Sequence, residues 1–332
     1  MQRWHTLAAH YNHKYGCRVQ KIPLDAGASC PNRDGTLSHA GCTFCNANGS
    51  GSGRAKRGDS LLPQWNALRA VYLRDDPNTR FIAYLQSFSN TYGPQKRLQQ
   101  LLQTVRSLPQ CFGVAVGTRP DCLDAPKLDT LAALNCDLWL ELGLQTAHDQ
   151  TLTRINRGHT AADAEKAVRM AAQRGIAVCA HLMAGLPGED ERHFLRSLDW
   201  ALSLPIKGLK LHNVFVPKGT ALASHYAAGL YHPLWRDEYV DILCAALPRI
   251  PSNIVIHRLQ SDPAPKELLA PTWATDKRGL LGDLRRALGA RELWQGKHAD
   301  SPGECPAVFM GDSAALWQGD LGSCGTARSH CP

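Results

Sequence analysis

Long apolar runs are absent from this chain of 332 residues, and so is an apolar segment near its start. No run approaches the roughly 20 residues that a helix needs to span a bilayer. Met1 to His10 also lack the apolar core of a secretory signal. Both absences predict a cytoplasmic protein with no membrane partner, whose twelve cysteines persist as thiols rather than disulfides. No RNA-binding module is recognisable either. Aromatic content is ordinary, and 44% hydrophobic residues suffice for a core, so the composition is that of a globular protein.

What is present alternates. Strand-like runs cover Val19–Leu24, Arg80–Gln86, Phe112–Gly117, Asp137–Leu144, Ile176–Met183 and Gly208–Val216, with a seventh candidate at Ile254–Leu259. Helical stretches are predicted near 60–74, 94–108, 124–134, 161–174 and 190–203. In the fourth, Ala164, Ala167, Val168, Ala171 and Ala172 form the stripe that packs on a sheet, and Gly175 marks its end. Six βα units in succession predict a partial (β/α)6-type barrel of parallel strands with outer helices. This unit is expected over 1–290, followed by a weakly ordered C-terminal tail over 291–332. From about Ala299 small and polar residues dominate, with four acidic residues and one Arg.

Three cysteines, Cys30, Cys42 and Cys45, lie within sixteen residues and have no obvious fourth partner. Three thiolates suit an iron–sulfur cluster with one iron left open, since electron-transfer clusters normally take four cysteines. A zinc site is the rival, because His39 stands three residues before Cys42 and Cys3His is a structural zinc set. The Pro, Asn, Asp and Gly around the cysteines argue against simple core residues. These two metal readings stay open on the residues alone.

In a parallel barrel, functional groups belong at the C-terminal ends of the strands. Polar segments fall at all six ends. The cysteine loop follows strand one; Gln86-Ser87-Phe88-Ser89-Asn90-Thr91 ends the second, and Gly117-Thr118-Arg119-Pro120-Asp121 the third. Strand four carries Glu141 and Gln145 ahead of Arg154-Ile155-Asn156-Arg157-Gly158-His159. The fifth runs into Gly185-Leu186-Pro187-Gly188-Glu189, and the sixth holds Lys210 and His212. An apolar strand gains nothing from an interior Glu, so these are site candidates rather than core.

The ordered set Cys-Pro-Asn-Arg-Asp-Gly-Thr, Gly-Cys-Thr-Phe-Cys-Asn, Gly-Thr-Arg-Pro-Asp, Leu-Glu-Leu-Gly-Leu-Gln-Thr, Arg-Ile-Asn-Arg-Gly-His and Gly-Leu-Pro-Gly-Glu resembles the radical S-adenosylmethionine (SAM) superfamily. Within it, the YhcC-type group, related to the catalytic subunit of the elongator complex, is the nearest likeness. The likeness runs from roughly Tyr15 to Ala270. It implies a [4Fe–4S] cluster on Cys30, Cys42 and Cys45, with SAM on the fourth iron. It also implies reductive cleavage to a 5′-deoxyadenosyl radical that takes hydrogen from a substrate, and an electron donor such as flavodoxin or ferredoxin. The gap of eleven residues between Cys30 and Cys42 suits the elongator-like branch rather than the superfamily's commonest spacing.

SAM contacts follow as expectations. The Gly-Gly-Glu element usual on the second strand is missing, and Tyr84-Leu85-Gln86-Ser87 stands in its place. Glu141 or Gln145 would take the ribose hydroxyls, and Arg154 or Arg157 would pair the methionine carboxylate. Gly185 and Gly188 would let backbone approach the adenine. Arg119, Lys210 and His212 are expected to face a substrate, and Cys122 is a candidate hydrogen donor at the mouth. Cys305, Cys324 and Cys331 are spaced too loosely for a second cluster.

Net charge is +8, and residues 1–75 hold ten Lys or Arg against four Asp or Glu. Arg54, Lys56 and Arg57 follow the run Gly49-Ser50-Gly51-Ser52-Gly53 directly after the cysteines. With the elongator likeness, this basic loop points to tRNA as substrate. The opposing reading is a non-catalytic zinc protein that binds RNA.

Overall fold

The computed structural model describes residues 2–49 and 58–299. Arg54, Lys56 and Arg57, and the cysteines at 305, 324 and 331, lie outside the described residues. The chain opens with α1 (Leu7–Tyr15), then β1 (Val19–Leu24), α2 (Leu61–Asp75), β2 (Arg80–Leu85), α3 (Gln95–Arg106) and β3 (Cys111–Thr118). Next come α4 (Ala125–Ala132), β4 (Asp137–Gln145), α5 (Asp149–Arg154), α6 (Ala161–Ala172), β5 (Ala177–Ala184), α7 (Glu191–Leu202) and β6 (Gly208–Asn213). The last third holds β7 (Val216–Pro217), α8 (Ala221–Ala227), α9 (Arg236–Ala246), β8 (Val255–Arg258), β9 (Leu268–Ala270) and α10 (Lys277–Ala290).

Seven strands form one parallel sheet in the order β1-β2-β3-β4-β5-β6-β8, so the expected barrel gains the seventh strand. The sixth expected strand is shorter than its apolar run. It stops at Asn213, and Val216–Pro217 instead pairs antiparallel with β9 in a small separate ribbon. Pro217 has no N–H to donate, which suits a short edge strand rather than a continued ladder.

Alternation within each strand separates two faces. Outward residues such as Leu140, Leu142 and Leu144 of β4, or Val178, Ala180 and Leu182 of β5, meet the helices in the main core. From α6 that core receives Ala164, Ala167, Val168 and Ala171, the stripe expected from the sequence. Inward residues near the N-terminal ends of the strands form a second layer, with Ile82, Tyr84, Ala115, Trp139, Cys179 and Val255. Below that layer α1 closes the bottom of the barrel. Tyr11 and Tyr15 donate to the two oxygens of Asp137 at 3.0 and 2.6 Å, and Trp139 Nε1 donates to the Tyr11 hydroxyl at 2.8 Å.

The segment after α10 packs on the core, although the sequence reading placed it with the tail from 291. Gln295 is fully buried. Its amide nitrogen donates to the carbonyls of Pro251 and Ile254, both at 2.8 Å, and its oxygen accepts from His5 N at 2.8 Å. Backbone bonds from Gln295 N to Arg3 O (2.9 Å) and from Ile256 N to His5 O (2.8 Å) continue the clasp onto β8. Truncation to Ala strips partners from two carbonyls and one N–H, so Gln295→Ala should lower stability by about 3 kcal/mol in urea denaturation. A loss below about 0.5 kcal/mol would show that 291–299 lies outside the cooperative unit.

Candidate active site

A cavity of about 320 Å³ opens at the C-terminal ends of the strands. Cys30, Cys42 and Cys45 are among the residues that line it. The loop that carries them is held from several sides. Arg33 Nη2 donates to the carbonyls of Cys45 (2.5 Å) and Asn46 (2.6 Å), and Asn156 Nδ2 donates to Gly41 O at 2.8 Å. Thr43 N donates to Ile155 O at 3.0 Å, and from the β9 side Glu267 accepts from Asn46 Nδ2 at 2.6 Å. Gly41 has φ 75°, the left-handed conformation that favours glycine, immediately before Cys42.

Donors surround the middle sulfur. Arg157 Nη1 lies 3.5 Å and Asn32 Nδ2 3.6 Å from Cys42 Sγ. Arg157 also donates through Nη2 to Gly143 O (2.8 Å) and through Nε to His159 Nε2 (3.0 Å). Burial, reinforced by the Arg157 charge, lowers the His159 pKa to about 4, so its ring is neutral and accepts that bond. Gly143 makes this approach possible. A Cβ there would stand 2.7 Å from both Arg157 Nη2 and Gln145 Nε2. Burial raises the Cys45 thiol, with Cys42 and Cys30 pushing the same way and Arg33 opposing. Among the described residues no three His, Cys, Asp or Glu side chains converge on a single ion position. His39 lies exposed over Gly35 and does not line the cavity, so the structure lends no support to the zinc alternative.

Of the expected SAM contacts, Gln86, Glu141, Gln145 and Arg157 line the cavity, whereas Arg154, Gly185 and Gly188 do not. Arg154 is exposed and donates to Pro187 O at 2.7 Å, its guanidinium covering Gly188. Gly185 faces Leu234 and its carbonyl accepts from the Tyr231 hydroxyl at 2.8 Å. Both glycines have positive φ, so here they make a turn. Cys122 is buried and does not line the cavity, and burial pushes its thiol up to about 12, which suits packing rather than chemistry. Arg119 is 2% exposed and forks onto Asp121 at 2.9 and 2.7 Å. Its Nη1 is buried and has no partner among the described residues.

Glu141 sits deeper and is fully buried. Lys21 reaches its Oε1 at 2.6 Å, Lys210 bonds its Oε2, and His181 Nε2 lies 3.2 Å from Oε2. Burial alone would raise this carboxyl, but the two ammonium groups outweigh it and hold the pKa well below the usual range. Lys210 also donates to the Tyr84 hydroxyl at 3.0 Å; burial pulls its pKa down to about 8, which leaves it charged at neutral pH. The sequence reading missed Lys21, His181 and Arg258. Their one signal was polarity at inward positions of alternating strands.

Residues 30–201 match the radical SAM superfamily, and residues 206–289 match the radical SAM C-terminal domain. The chain belongs to the radical SAM superfamily. It is 37% identical over 298 residues to the uncharacterized protein YtqA of Bacillus subtilis, covering 89% of this chain and 92% of YtqA. Protein YhcC of Escherichia coli K12 is 36% identical over 278 residues, covering 83% of this chain and 89% of YhcC. Among solved structures, an archaeal Elp3 of Methanocaldococcus infernus lacking residues 1–46 has a TM-score of 0.65 at 15% identity. That match covers 83% of this chain and 64% of the Elp3 chain, and it shows a shared fold.

Acid should loosen this interior. Burial lowers the His181 pKa to about 4, with Lys210 acting the same way and Glu141 opposing. Lys21 also faces it, and His212 lies with its ring centre 5.5 Å away. The unfolded chain takes up this proton near pH 6.5 and the folded one only near 4, so stability falls as pH drops through that window. The loss reaches about 2 kcal/mol at pH 5. His181→Gln should therefore show a urea midpoint that changes less between pH 7 and pH 5 than the wild type. Equal pH dependence in the two proteins would rule out this origin.

Proposed function

We propose that this chain is a radical SAM enzyme in which Cys30, Cys42 and Cys45 hold a [4Fe–4S] cluster and SAM occupies its fourth iron. One observation supports this reading: Cys30, Cys42 and Cys45 all line one cavity at the strand ends, with N–H donors of Arg157 and Asn32 beside the Cys42 sulfur. When bound, the cluster and SAM supply a carbon-centred radical able to take a hydrogen atom from a substrate.

The protein's part is binding, orientation and exclusion of water. Donors beside Cys42 favour the thiolate form that ligation requires. The open Nη1 of Arg119 suits the carboxylate of SAM better than Arg157, whose nitrogens are already bonded. Gln86 and Gln145 offer amides to the remaining polar groups of SAM. Phe44, Phe88, Met183 and Phe215 line the same cavity and keep its wall dry. Cys45 is the least buried of the three cysteines, so an electron donor such as flavodoxin or ferredoxin would approach from its side.

Anaerobic reconstitution tests the reading. The protein should turn brown with about four irons and four sulfides per chain, and under reductant it should release methionine and 5′-deoxyadenosine from SAM. Cys30→Ala, Cys42→Ala and Cys45→Ala should each abolish cleavage, whereas Ala at 305, 324 or 331 should not. A colourless protein holding one zinc would refute it.

The substrate we propose is tRNA, on the strength of the basic run Arg54, Lys56 and Arg57 beside the cysteine loop. Reversing all three to Glu should weaken RNA binding steeply and lower the slope of log affinity against log salt by about three. Unaltered binding would move the substrate to the class of small molecules.

A further inference from the structure

The cavity carries positive charge that the proposed chemistry leaves unused. Lys21 and Lys210 share one carboxylate, Glu141. Arg258 adds a third cation to the same cavity, with no hydrogen bond or ion pair among the described residues. Lys210 and Arg258 are register partners on β6 and β8, and His212 stands two residues beyond Lys210 on the same inward face. On the strands themselves these three cations face one carboxylate; Asp262, exposed and four residues past Arg258, also lines the cavity but makes no ion pair with it. The half-buried guanidinium of Arg258 therefore faces the cavity with its donors unused, where an entering anion could take them.

We propose that Arg258, flanked by Lys210 and His212, is a subsite for a carboxylate group of the substrate, which on the tRNA proposed above would belong to a modified nucleoside, since the phosphodiester backbone carries none. The inference rests on the reading that this cavity is where the substrate reacts. Charge and shape both favour a carboxylate over a phosphate dianion. Among these three cations of β1, β6 and β8, Arg258 is the one whose donors are open among the described residues, because the ammonium groups of Lys21 and Lys210 are already on Glu141. Its planar fork presents two parallel N–H groups that match the two oxygens of one carboxylate. A dianion would favour a second cation with open donors, and among the described residues of β6 and β8 none stands beside Arg258. The subsite is also separate from Arg119, which belongs to the end of β3, four strands away from β8 in the sheet. Two anionic groups, one on SAM and one on the substrate, would thus be held on different sides of the cavity.

Saturation-transfer NMR tests this with acetate as the probe, on the cluster-reconstituted protein with saturating SAM and no reductant. Bound SAM then covers Arg119, and no turnover occurs. Wild type should bind acetate saturably at millimolar concentration and in preference to inorganic phosphate. Arg258→Gln should weaken acetate binding by about tenfold or more. Arg258→Lys, which keeps the charge but loses the fork, should fall between the two. Thermal melts of both variants establish that they are folded. The proposal is overturned by a wild type that does not bind acetate, by a folded Gln variant that binds it equally well, or by tighter binding of phosphate. SAM cleavage by the wild type is scored separately. Acetate binding without cleavage sinks the radical reading alone, and cleavage without acetate binding sinks the subsite alone.

Discussion

Glu141 is a carboxylate with no exposure to solvent, and the inside of the barrel is organised around it. Taking such a charge out of water costs several kcal/mol unless opposite charges and hydrogen bonds replace the lost hydration. The replacement comes from Lys21 on β1, His181 on β5, Lys210 on β6 and His257 on β8. Because β1 and β8 are the two edges of the open sheet, this set does more than satisfy one side chain. Lys21 Nζ and His257 Nδ1 are 3.1 Å apart, so the edges are drawn toward each other across the interior. The curvature that makes an open sheet into a nearly closed vessel therefore has an electrostatic tie at its centre.

Room for chemistry above that tie depends on small residues. Gly113, Ala115 and Gly117 give β3 an inward face with almost no side chain, and Gly143 does the same on β4 at the level of Arg157. A Cβ on Gly117 would approach Leu85 O to 3.0 Å, so that position is also tight against its neighbour. With these strands kept bare, the bulk on the inner wall is set by Tyr84, Met183 and the charged residues of β6 and β8. The same alternation that sends leucines out to the helices thus leaves one side of the vessel vacant and the other polar.

Much of this was legible in the chain. The outward faces of β4 and β5 and the small-residue stripe of α6 follow from strict periodicity, and Gly175 has the positive φ its place after α6 suggested. The apolar run from Gly208 misled because hydrophobicity does not register a change of sheet; Pro217 was the local cue. In the site, all three cysteines line the same cavity because they sit on one short loop. Arg154 and Arg157 could not be separated by sequence, since three positions on a turn decide which guanidinium faces the cavity and which covers Gly188. Nothing in the sequence beyond their polarity singles out Lys21 and Arg258, because only the fold shows that their strands border the same interior.

The stopper at the bottom has a consequence for the order in which the polypeptide can assemble. Tyr11 and Asp137 are 126 positions apart, and His5 and Gln295 are 290 apart. During synthesis the first helix therefore emerges long before β4 and β8, the surfaces it must cover, exist. Its ring of Tyr11, Tyr15 and Lys14 has only water or transient partners until Asp137 arrives, and its docking on β8 waits for almost the whole chain. Such distant pairings are entropically late events. A helix made before every surface it covers is, by this geometry, among the last of these elements to find its place.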